Sequence, residues 1–373
     1  MTEKLLYLKQ HYVPKWYQRN FSSDSHHGHI WVYDVDSKNL TERTITETAQ
    51  EENFYVKGGQ FEQFLNIIED RTSKSVNKLI REGSIEKLDK KTYNDILEFI
   101  LLQLARTKSE KEIVKSYIPA NFDNSIKPRL ELPDFSYDID DLDKFYLGHI
   151  EYMLFGKILI SDLKLYLIKN MTKQLFFTSD NPILTNNLYY LNNNTTLNGL
   201  QSPGLQIYCT LNPKLMLLFI HDDAYKIKAT QQNIIEIKDE NDITNLNKLH
   251  FLNRCQQILS QNGNLSYIQS LNVQSHKMKN KRRICTTHFD SSSKSWKDYL
   301  EKEKDNYEIS FSFIQRNYNY LKNFKEEYLE KARILPNFRP ARDQNRIIEF
   351  EGKTEHIIDE YSKMISFKFS KFE

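Results

Sequence analysis

The chain has 373 residues, with 52 basic and 50 acidic side chains and a formal net charge of +2. Apolar residues make up 39% of the sequence, which is enough for a sizeable core and excludes a fully disordered chain. The charge balance excludes a histone-like polycation but leaves room for local basic patches. The length fits two or three domains of roughly 150 residues, or one large domain with an extension.

Targeting and cofactor signals are few. No run approaches the roughly 18 consecutive apolar residues of a membrane span, and the N-terminus lacks the apolar core of a signal peptide. Cys209, Cys255 and Cys285 are far apart and odd in number, so they predict neither a disulfide framework nor a zinc pair. We therefore expect a cytoplasmic protein with no membrane partner.

The sequence also lacks a glycine-rich phosphate loop and the Gly-x-Ser-x-Gly and His-Glu-x-x-His motifs, which disfavours the common kinases, serine hydrolases and zinc proteases.

The first half of the chain is mainly helical in pattern. Short extended segments come first, with a strand at 30–33. Apolar residues with a 3.6-residue period predict helices at 61–80 and 92–107. Three prolines and many acids predict a long loop at 119–141, and a helix that is apolar on most sides is expected at 141–170.

Beyond residue 171 the pattern changes to short apolar runs separated by turn residues. We predict strands, in chain order, at 175–177, 205–210, 215–221, 234–237 and 265–268. A further helix is expected at 242–260. These elements predict an α+β fold in which a helical layer packs on a mostly antiparallel sheet. A change to basic composition divides the chain into a domain at 1–275 and a helical or mixed C-terminal extension at 276–373.

The first candidate site is the segment His11-Tyr12-Val13-Pro14, followed by Arg19. Pro14 favours a rigid, extended backbone, so His11 and Arg19 would be held in place. A histidine can exchange a proton near neutral pH, and an arginine can bind a phosphate with two hydrogen bonds. Alternatively, His11 is a hydrogen-bonded structural residue.

Two further candidates lie on the predicted helices. Glu62 and Glu69 are seven residues apart and share one helix face, so they could bind a divalent cation such as Mg²⁺ or Mn²⁺ with ligands from elsewhere. The alternative is a solvated polar stripe. Gln103 and Arg106 share a face at the end of the next helix. There Arg106 could cap the helix, or it could neutralise Glu69 or Asp180.

The fourth candidate is Asp180 in the segment Thr178-Ser179-Asp180-Asn181-Pro182. It is the only charged residue between 174 and 213, and it follows a predicted strand. Catalytic groups are often placed on such loops by a rigid scaffold. The alternative is a turn in which an Asp or Asn side chain bonds to its own backbone.

A basic and aromatic segment beyond residue 276 is a candidate nucleic-acid-binding surface, because cations neutralise phosphates and aromatic rings stack on unpaired bases. Its residues are Lys277, Lys279, Lys281, Arg282, Arg283, Phe311, Phe313, Arg316, Tyr318, Tyr320, Lys322 and Phe324. A solvated linker with an amphipathic helix is the alternative.

Taken in order, these motifs resemble a bacterial family known as domain of unknown function 4238. The resemblance covers roughly residues 8–275. It is carried by the His-Tyr-Val-Pro opening with Tyr17, Arg19 and Phe21, by the paired glutamates, by Gln103 with Arg106-Thr107, and by Thr178–Pro182. Thr210-Leu211-Asn212-Pro213 departs at two positions from the corresponding family turn, and Asn247 is similar to a later family asparagine. The resemblance implies that the motif residues form one constellation: His11, Arg19, Glu62, Glu69, Gln103, Arg106 and Asp180.

These residue types suit phosphodiester chemistry, so our hypothesis is a nuclease acting on RNA or DNA as an effector of antiphage defence or as a toxin. His11 would transfer protons, and Arg19 and Arg106, with Gln103, would stabilise the charge of the transition state. Asp180, Glu62 and Glu69 would bind a metal or orient His11. Alternatively, the chain is a non-catalytic sensor or partner-binding module of a defence system in which the motif residues form buried ion pairs. A nucleotide-modifying or transferase enzyme is a third reading.

Overall fold

The computed structural model describes residues 9–24, 26–55, 60–116, 142–188, 199–253, 255–278, 287–290, 295–298, 309–320, 322–323 and 342. Helices packed on mostly antiparallel sheets confirm the predicted α+β class. The predicted loop at 119–141 lies outside these residues, as do Lys279, Lys281, Arg282, Arg283 and Phe324. Within the described ranges, no helix combines the length and the apolar character that crossing a membrane requires.

The N-terminal half begins with short strands and continues with helices. The strands and first helix are β1 (Lys9–His11), α1 (Lys15–Gln18), β2 (His29–Asp34), β3 (Leu40–Thr44) and β4 (Gln50–Glu52). The helices that follow are α2 (Gln60–Glu82), α3 (Lys90–Ala105), α4 (Lys108–Ser116), α5 (Leu142–Phe155) and α6 (Lys157–Ile160).

The rest of the chain is mainly strands. These are β5 (Lys164–Asn170), β6 (Thr178–Ser179), β7 (Ile183–Asn186), β8 (Gln206–Asn212), β9 (Leu215–Ile220), β10 (Tyr225–Ile227), β11 (Ile234–Ile237), β12 (Gln257–Ser260), β13 (Thr287–Asp290), β14 (Ser295–Asp298) and β15 (Ile314–Arg316). Two helices, α7 (Glu240–Leu252) and α8 (Leu265–Met278), flank β12.

Two sheets organise the described residues. The larger has the strand order β11-β5-β9-β8-β7, in which only the β11–β5 pair is parallel. The smaller has the order β3-β2-β12-β6 and is antiparallel throughout. The first sheet is buried on both faces, which explains why β9 is a continuous apolar run rather than an alternating one.

Side chains of the larger sheet alternate between two cores. Leu167, Leu217 and Phe219 pack with the helices α2, α3 and α5. Their neighbours in sequence point to the opposite face, where they pack with α7 and with Phe311 and Phe313. Part of the chain beyond residue 275 therefore contributes to the second of these cores. Because Phe311 and Phe313 are buried, they are not available to stack on bases.

The strand predicted at 175–177 lies at Thr178–Ser179 instead, and three further predictions of secondary structure were wrong. The segment expected as one helix at 141–170 holds α5, which ends at Phe155, the short helix α6, and then strand β5, which lies next to the central strand β9. A short apolar run fits a buried strand and a buried helix equally well. The helix at 242–260 ends at Leu252, before strand β12. The strand expected at 265–268 is the start of α8, where the Asn264 side chain accepts a hydrogen bond from the Tyr267 N–H.

Candidate functional site

Strand β1 presents the opening motif on two faces. It pairs with β4, with His11 opposite Gln50. Gln10 and Tyr12 are buried, while the half-buried His11 ring lies on the other side, with Nε2 3.4 Å from the Ile45 carbonyl oxygen. Burial and the nearby Lys15 cation lower the pKa of His11 to about 4, so the ring is neutral at pH 7.

Arg106 is the most completely buried charge of the motif. Helix α3 ends at Ala105, and the Arg106 side chain at its C-cap has no exposed surface. Its Nη1 donates to Glu69 Oε1 at 2.7 Å, and its Nη2 donates to Gln103 Oε1 at 3.0 Å. Burial opposes the charge, but Glu69 and Tyr55 raise the pKa of Arg106. Of its two predicted carboxylate partners, Arg106 therefore pairs with Glu69, and a phosphate could reach it only if these partners moved.

Glu62, the other glutamate of the pair, is hydrogen-bonded to β1. Gln10 Nε2 donates to Glu62 Oε2 at 3.3 Å, and Gln10 Oε1 accepts from the Tyr55 N–H at 2.8 Å. The Tyr55 hydroxyl donates to the His11 carbonyl oxygen at 3.2 Å and is hydrogen-bonded to the Arg106 guanidinium. These bonds connect β1 to helices α2 and α3, which explains how distant sequence motifs meet.

Asp180 lies directly after β6 and is 3% exposed. Its two carboxylate oxygens accept from the Gln256 N–H at 3.0 and 3.1 Å. No cation of the described residues lies within ion-pairing distance of it. Burial raises the pKa of Asp180 to about 7, although backbone N–H groups and the Lys108 cation oppose this. The carboxyl group can therefore gain or lose a proton near neutral pH.

The residues around Asp180 fix its position. The Thr178 hydroxyl is 2.7 Å from the Tyr17 hydroxyl, and the Ser179 hydroxyl is 2.9 Å from His250 Nδ1. Ser179 Oγ also accepts from the Asn181 N–H at 3.2 Å. The turn alternative considered for this segment is thus made by Ser179, and the Asp180 carboxylate is directed to Gln256 instead.

The Tyr12 hydroxyl is buried within electrostatic range of Asp180. Burial first, and then the charges of Asp180 and Glu51, raise the pKa of the Tyr12 hydroxyl, and Tyr55 adds to the effect. The charge of Asp180 thus acts on the Tyr12 hydroxyl, and the charges of Arg106 and Glu69 act on the Tyr55 hydroxyl. We call this group the central polar network; its members are Tyr12, Tyr55, Glu69, Gln103, Arg106 and Asp180.

The network has an exposed edge close to Asp180. Lys108 Nζ lies 3.3 Å from Glu51 Oε2, and the two side chains are 38% and 47% exposed.

Sequence reasoning missed Tyr12, Tyr55, Glu51 and Lys108 as site residues. Tyr12 lies within the opening motif and Lys108 directly follows Arg106-Thr107, so these two carried a signal. Glu51 and Tyr55 carried none.

Other predicted site residues lie apart from the network. Arg19 is exposed in the turn 19–21, and no hydrogen bond or ion pair among the described residues involves its guanidinium. In the part of the chain that is described, no group of three or more His, Cys, Asp or Glu side chains could hold a metal ion. Glu62, Glu69 and Asp180 are instead bonded to Gln10, to Arg106 and to the Gln256 backbone.

The predicted nucleic-acid surface is described only in part. Arg316 is exposed on β15, and Tyr318 is 77% exposed. Tyr320 is half-buried, with its ring edge-on to the His221 ring at 5.2 Å. Lys277 lies on α8. The members of this set whose exposure is established are Arg316, Tyr318 and Lys322.

The fold and the network define the chain as an α+β protein with a buried polar centre assembled from four separate sequence motifs. The chain belongs to the family described as protein of unknown function (DUF4238), whose model matches residues 9–264. This match spans every residue of the network and ends before the basic segment. Neither a search of the curated proteins nor a search of the solved structures gave a match.

Proposed function

We propose that the chain is a nuclease-type hydrolase in which Asp180 transfers protons. The supporting observation is a fully buried carboxyl group whose pKa is about 7 and whose hydrogen-bond partner is a backbone N–H. An asparagine would accept that hydrogen bond equally well without the cost of burying an acid. The carboxyl group is therefore best explained by proton transfer, which is most effective when the pKa is close to the working pH.

Phosphodiester hydrolysis requires a base that takes a proton from the attacking water and an acid that protonates the leaving oxygen. Asp180 can serve as either, and the neighbouring Tyr12 hydroxyl can relay the proton. Lys108, on the exposed edge, is the cation best placed to bind a phosphate. Arg106, Glu69 and Gln103 would then be positioning residues that hold Tyr55, and through it the opening motif.

The other predicted roles belong to the same proposal. His11 is neutral at pH 7 and so able to accept a proton, and Arg19 is exposed and so able to bind phosphate. His11 would act from the face of β1 opposite Gln10 and Tyr12. A Mg²⁺ or Mn²⁺ ion would have to be held together with the substrate phosphate. In the cell, we expect a cytoplasmic effector of antiphage defence or a toxin, acting alone or with a partner protein.

The test is inducible expression of the full chain beside Asp180→Asn, with growth, total RNA and total DNA followed over time. Asp70→Asn is the matched control, because Asp70 is an exposed carboxylate on α2. We expect growth arrest and degradation of one nucleic acid with the parent and the control, and neither with Asp180→Asn at equal protein level. Cleavage that persists in Asp180→Asn would contradict the role of Asp180.

Purified protein then defines the chemistry. We expect cleavage of the nucleic acid identified in cells to depend on a group that titrates near pH 7, and this dependence to be lost in Asp180→Asn. Assays with EDTA, Mg²⁺ and Mn²⁺ decide whether a divalent cation takes part. Lys108→Ala should raise KM more than it lowers kcat, because its proposed role is to bind phosphate.

The second candidate is a non-catalytic sensor or partner-binding module. It is favoured by the complete burial of Arg106, whose bonds to Glu69 and Gln103 join two helices as a structural ion pair would. On this alternative neither nucleic acid is degraded, and Asp180→Asn lowers the melting temperature strongly. On the hydrolase proposal the same variant folds normally and is inactive.

A further inference from the structure

Arg342 is a buried arginine outside the region that the family model matches. It lies 78 residues beyond the end of the match at residue 264, and it is 2% exposed. Its backbone N–H donates to the Gln201 carbonyl oxygen at 2.9 Å. A buried arginine this far along the chain requires a counter-charge and hydrogen-bond acceptors within the fold.

All three nitrogens of the Arg342 guanidinium donate hydrogen bonds. Nε and Nη2 donate to the two carboxylate oxygens of Asp162, at 2.6 and 2.8 Å. Nη1 donates to the Ser202 carbonyl oxygen at 3.1 Å, and Nη2 also donates to the Leu159 carbonyl oxygen. The Asp162 side chain is itself 3% exposed. We call the group formed by Asp162 and the carbonyls of Leu159, Gln201 and Ser202 the arginine-binding site.

The geometry of this site selects a guanidinium. Two parallel hydrogen bonds to one carboxylate match the planar fork of arginine, whereas a lysine ammonium is a point charge without that fork. A side chain without this fork could not also donate to the backbone carbonyl oxygens of Leu159 and Ser202 in the same way. A buried carboxylate left without its cation is strongly destabilising, so Asp162 needs an occupant.

We propose that the arginine-binding site is a guanidinium-specific site, and that Arg342 occupies it to fasten the C-terminal extension to the main domain. The attachment point is the junction between α6 and β5 on one side and the segment 199–202 on the other. This inference does not depend on the proposed hydrolase activity, because none of its residues belongs to the central polar network.

The test uses the full chain with Arg342→Ala and amide hydrogen exchange followed by mass spectrometry. Peptides covering residues 157–163 and 199–205 should exchange about tenfold faster or more than in the parent. Arg316→Ala is the matched control, because Arg316 is an exposed arginine of the same extension, and it should leave both peptides unchanged. Methylguanidinium at millimolar concentration should restore protection in Arg342→Ala, and methylammonium should not.

Unchanged exchange in Arg342→Ala would overturn the proposal. Equal rescue by methylammonium would overturn the guanidinium specificity. Should Arg342→Ala fail to accumulate, Arg342→Lys keeps the charge without the fork, and the same faster exchange and the same rescue pattern are expected. Protection in Arg342→Lys equal to that of the parent would contradict the proposal.

Discussion

Arg106 and Asp180 are two buried charged residues of one network, and their surroundings differ. Arg106 has a carboxylate and an amide within hydrogen-bond distance, and its charge is balanced by Glu69. Asp180 has a backbone N–H as its partner, and no described cation lies within ion-pairing distance of it. A balanced charge is the arrangement expected of a structural tie, whereas an unbalanced acid with a pKa of about 7 is the arrangement expected of a proton-transfer group.

The largest effect should come from breaking the balanced pair. Arg106→Ala leaves Glu69 without its cation and Gln103 without its donor, so we expect a loss of roughly 3–5 kcal/mol in the free energy of unfolding, measured by urea denaturation. Lys74→Ala is the control, because the exposed Lys74–Asp70 pair should contribute no more than about 0.5 kcal/mol. Equal losses in the two variants would remove the structural role assigned to Arg106.

Replacing Asp180 should raise the free energy of unfolding above neutral pH, whereas replacing Arg106 should lower it. Its pKa is about 7 in the folded chain and about 3.9 when unfolded. Between these values the folded state holds a proton that the unfolded state has released. The contribution of Asp180 to stability should therefore fall as pH rises from about 4 to 7, by up to about 4 kcal/mol, and then level off. Asp180→Asn should lack this decline and be the more stable protein above pH 7. An Asp180→Asn variant that is less stable than the parent at about pH 8 would favour the structural alternative.

The contrast between the two residues was only partly visible in the sequence. The apolar periodicity predicted the helices that became α2 and α3, and the apolar runs around Asn212-Pro213 predicted β8 and β9. The buried strand β5 was mistaken for helix because its run of four apolar residues, 165–168, is too short to show a period that separates the two. Sequence pattern thus predicted the fold class better than it predicted strand β5 of the larger sheet.

The motifs predicted which residues belong to the candidate site, but they did not predict which of these residues contact each other. Glu69 and Asp180 were both possible partners of Arg106, and only the packing of α2 on α3 decides for Glu69. The motifs also do not predict how far each side chain is buried. His11 is half-buried, Arg19 exposed and Arg106 fully buried, although all three carry the same type of motif signal.

A smaller loss is expected at Asn247, which holds the chain just before the Asp180 loop. Its Oδ1 accepts from the Phe177 N–H and its Nδ2 donates to the Leu175 carbonyl oxygen, both at 2.9 Å. Asn247→Ala should cost about 1–3 kcal/mol in unfolding free energy, because it leaves buried backbone groups unpaired. The exposed Asn241→Ala on the same helix is the control. A cost at Asn247 no larger than that at Asn241 would show that these bonds do not hold the loop.

His11 titrates in the same pH range, so a variant at this position sharpens the prediction for Asp180. The pKa of His11 is lowered to about 4 by burial and by the Lys15 cation, whereas an unfolded histidine has a pKa of about 6.5. Between these values the unfolded state binds the extra proton, so His11 makes stability rise with pH while Asp180 makes it fall. The two slopes oppose each other in the parent. His11→Gln should therefore steepen the decline in stability from about pH 4 to 6.5, and Asp180→Asn should reverse it. Urea denaturation of both variants across this range separates the contributions, and parallel curves for the parent and His11→Gln would mean that His11 titrates normally in the folded chain.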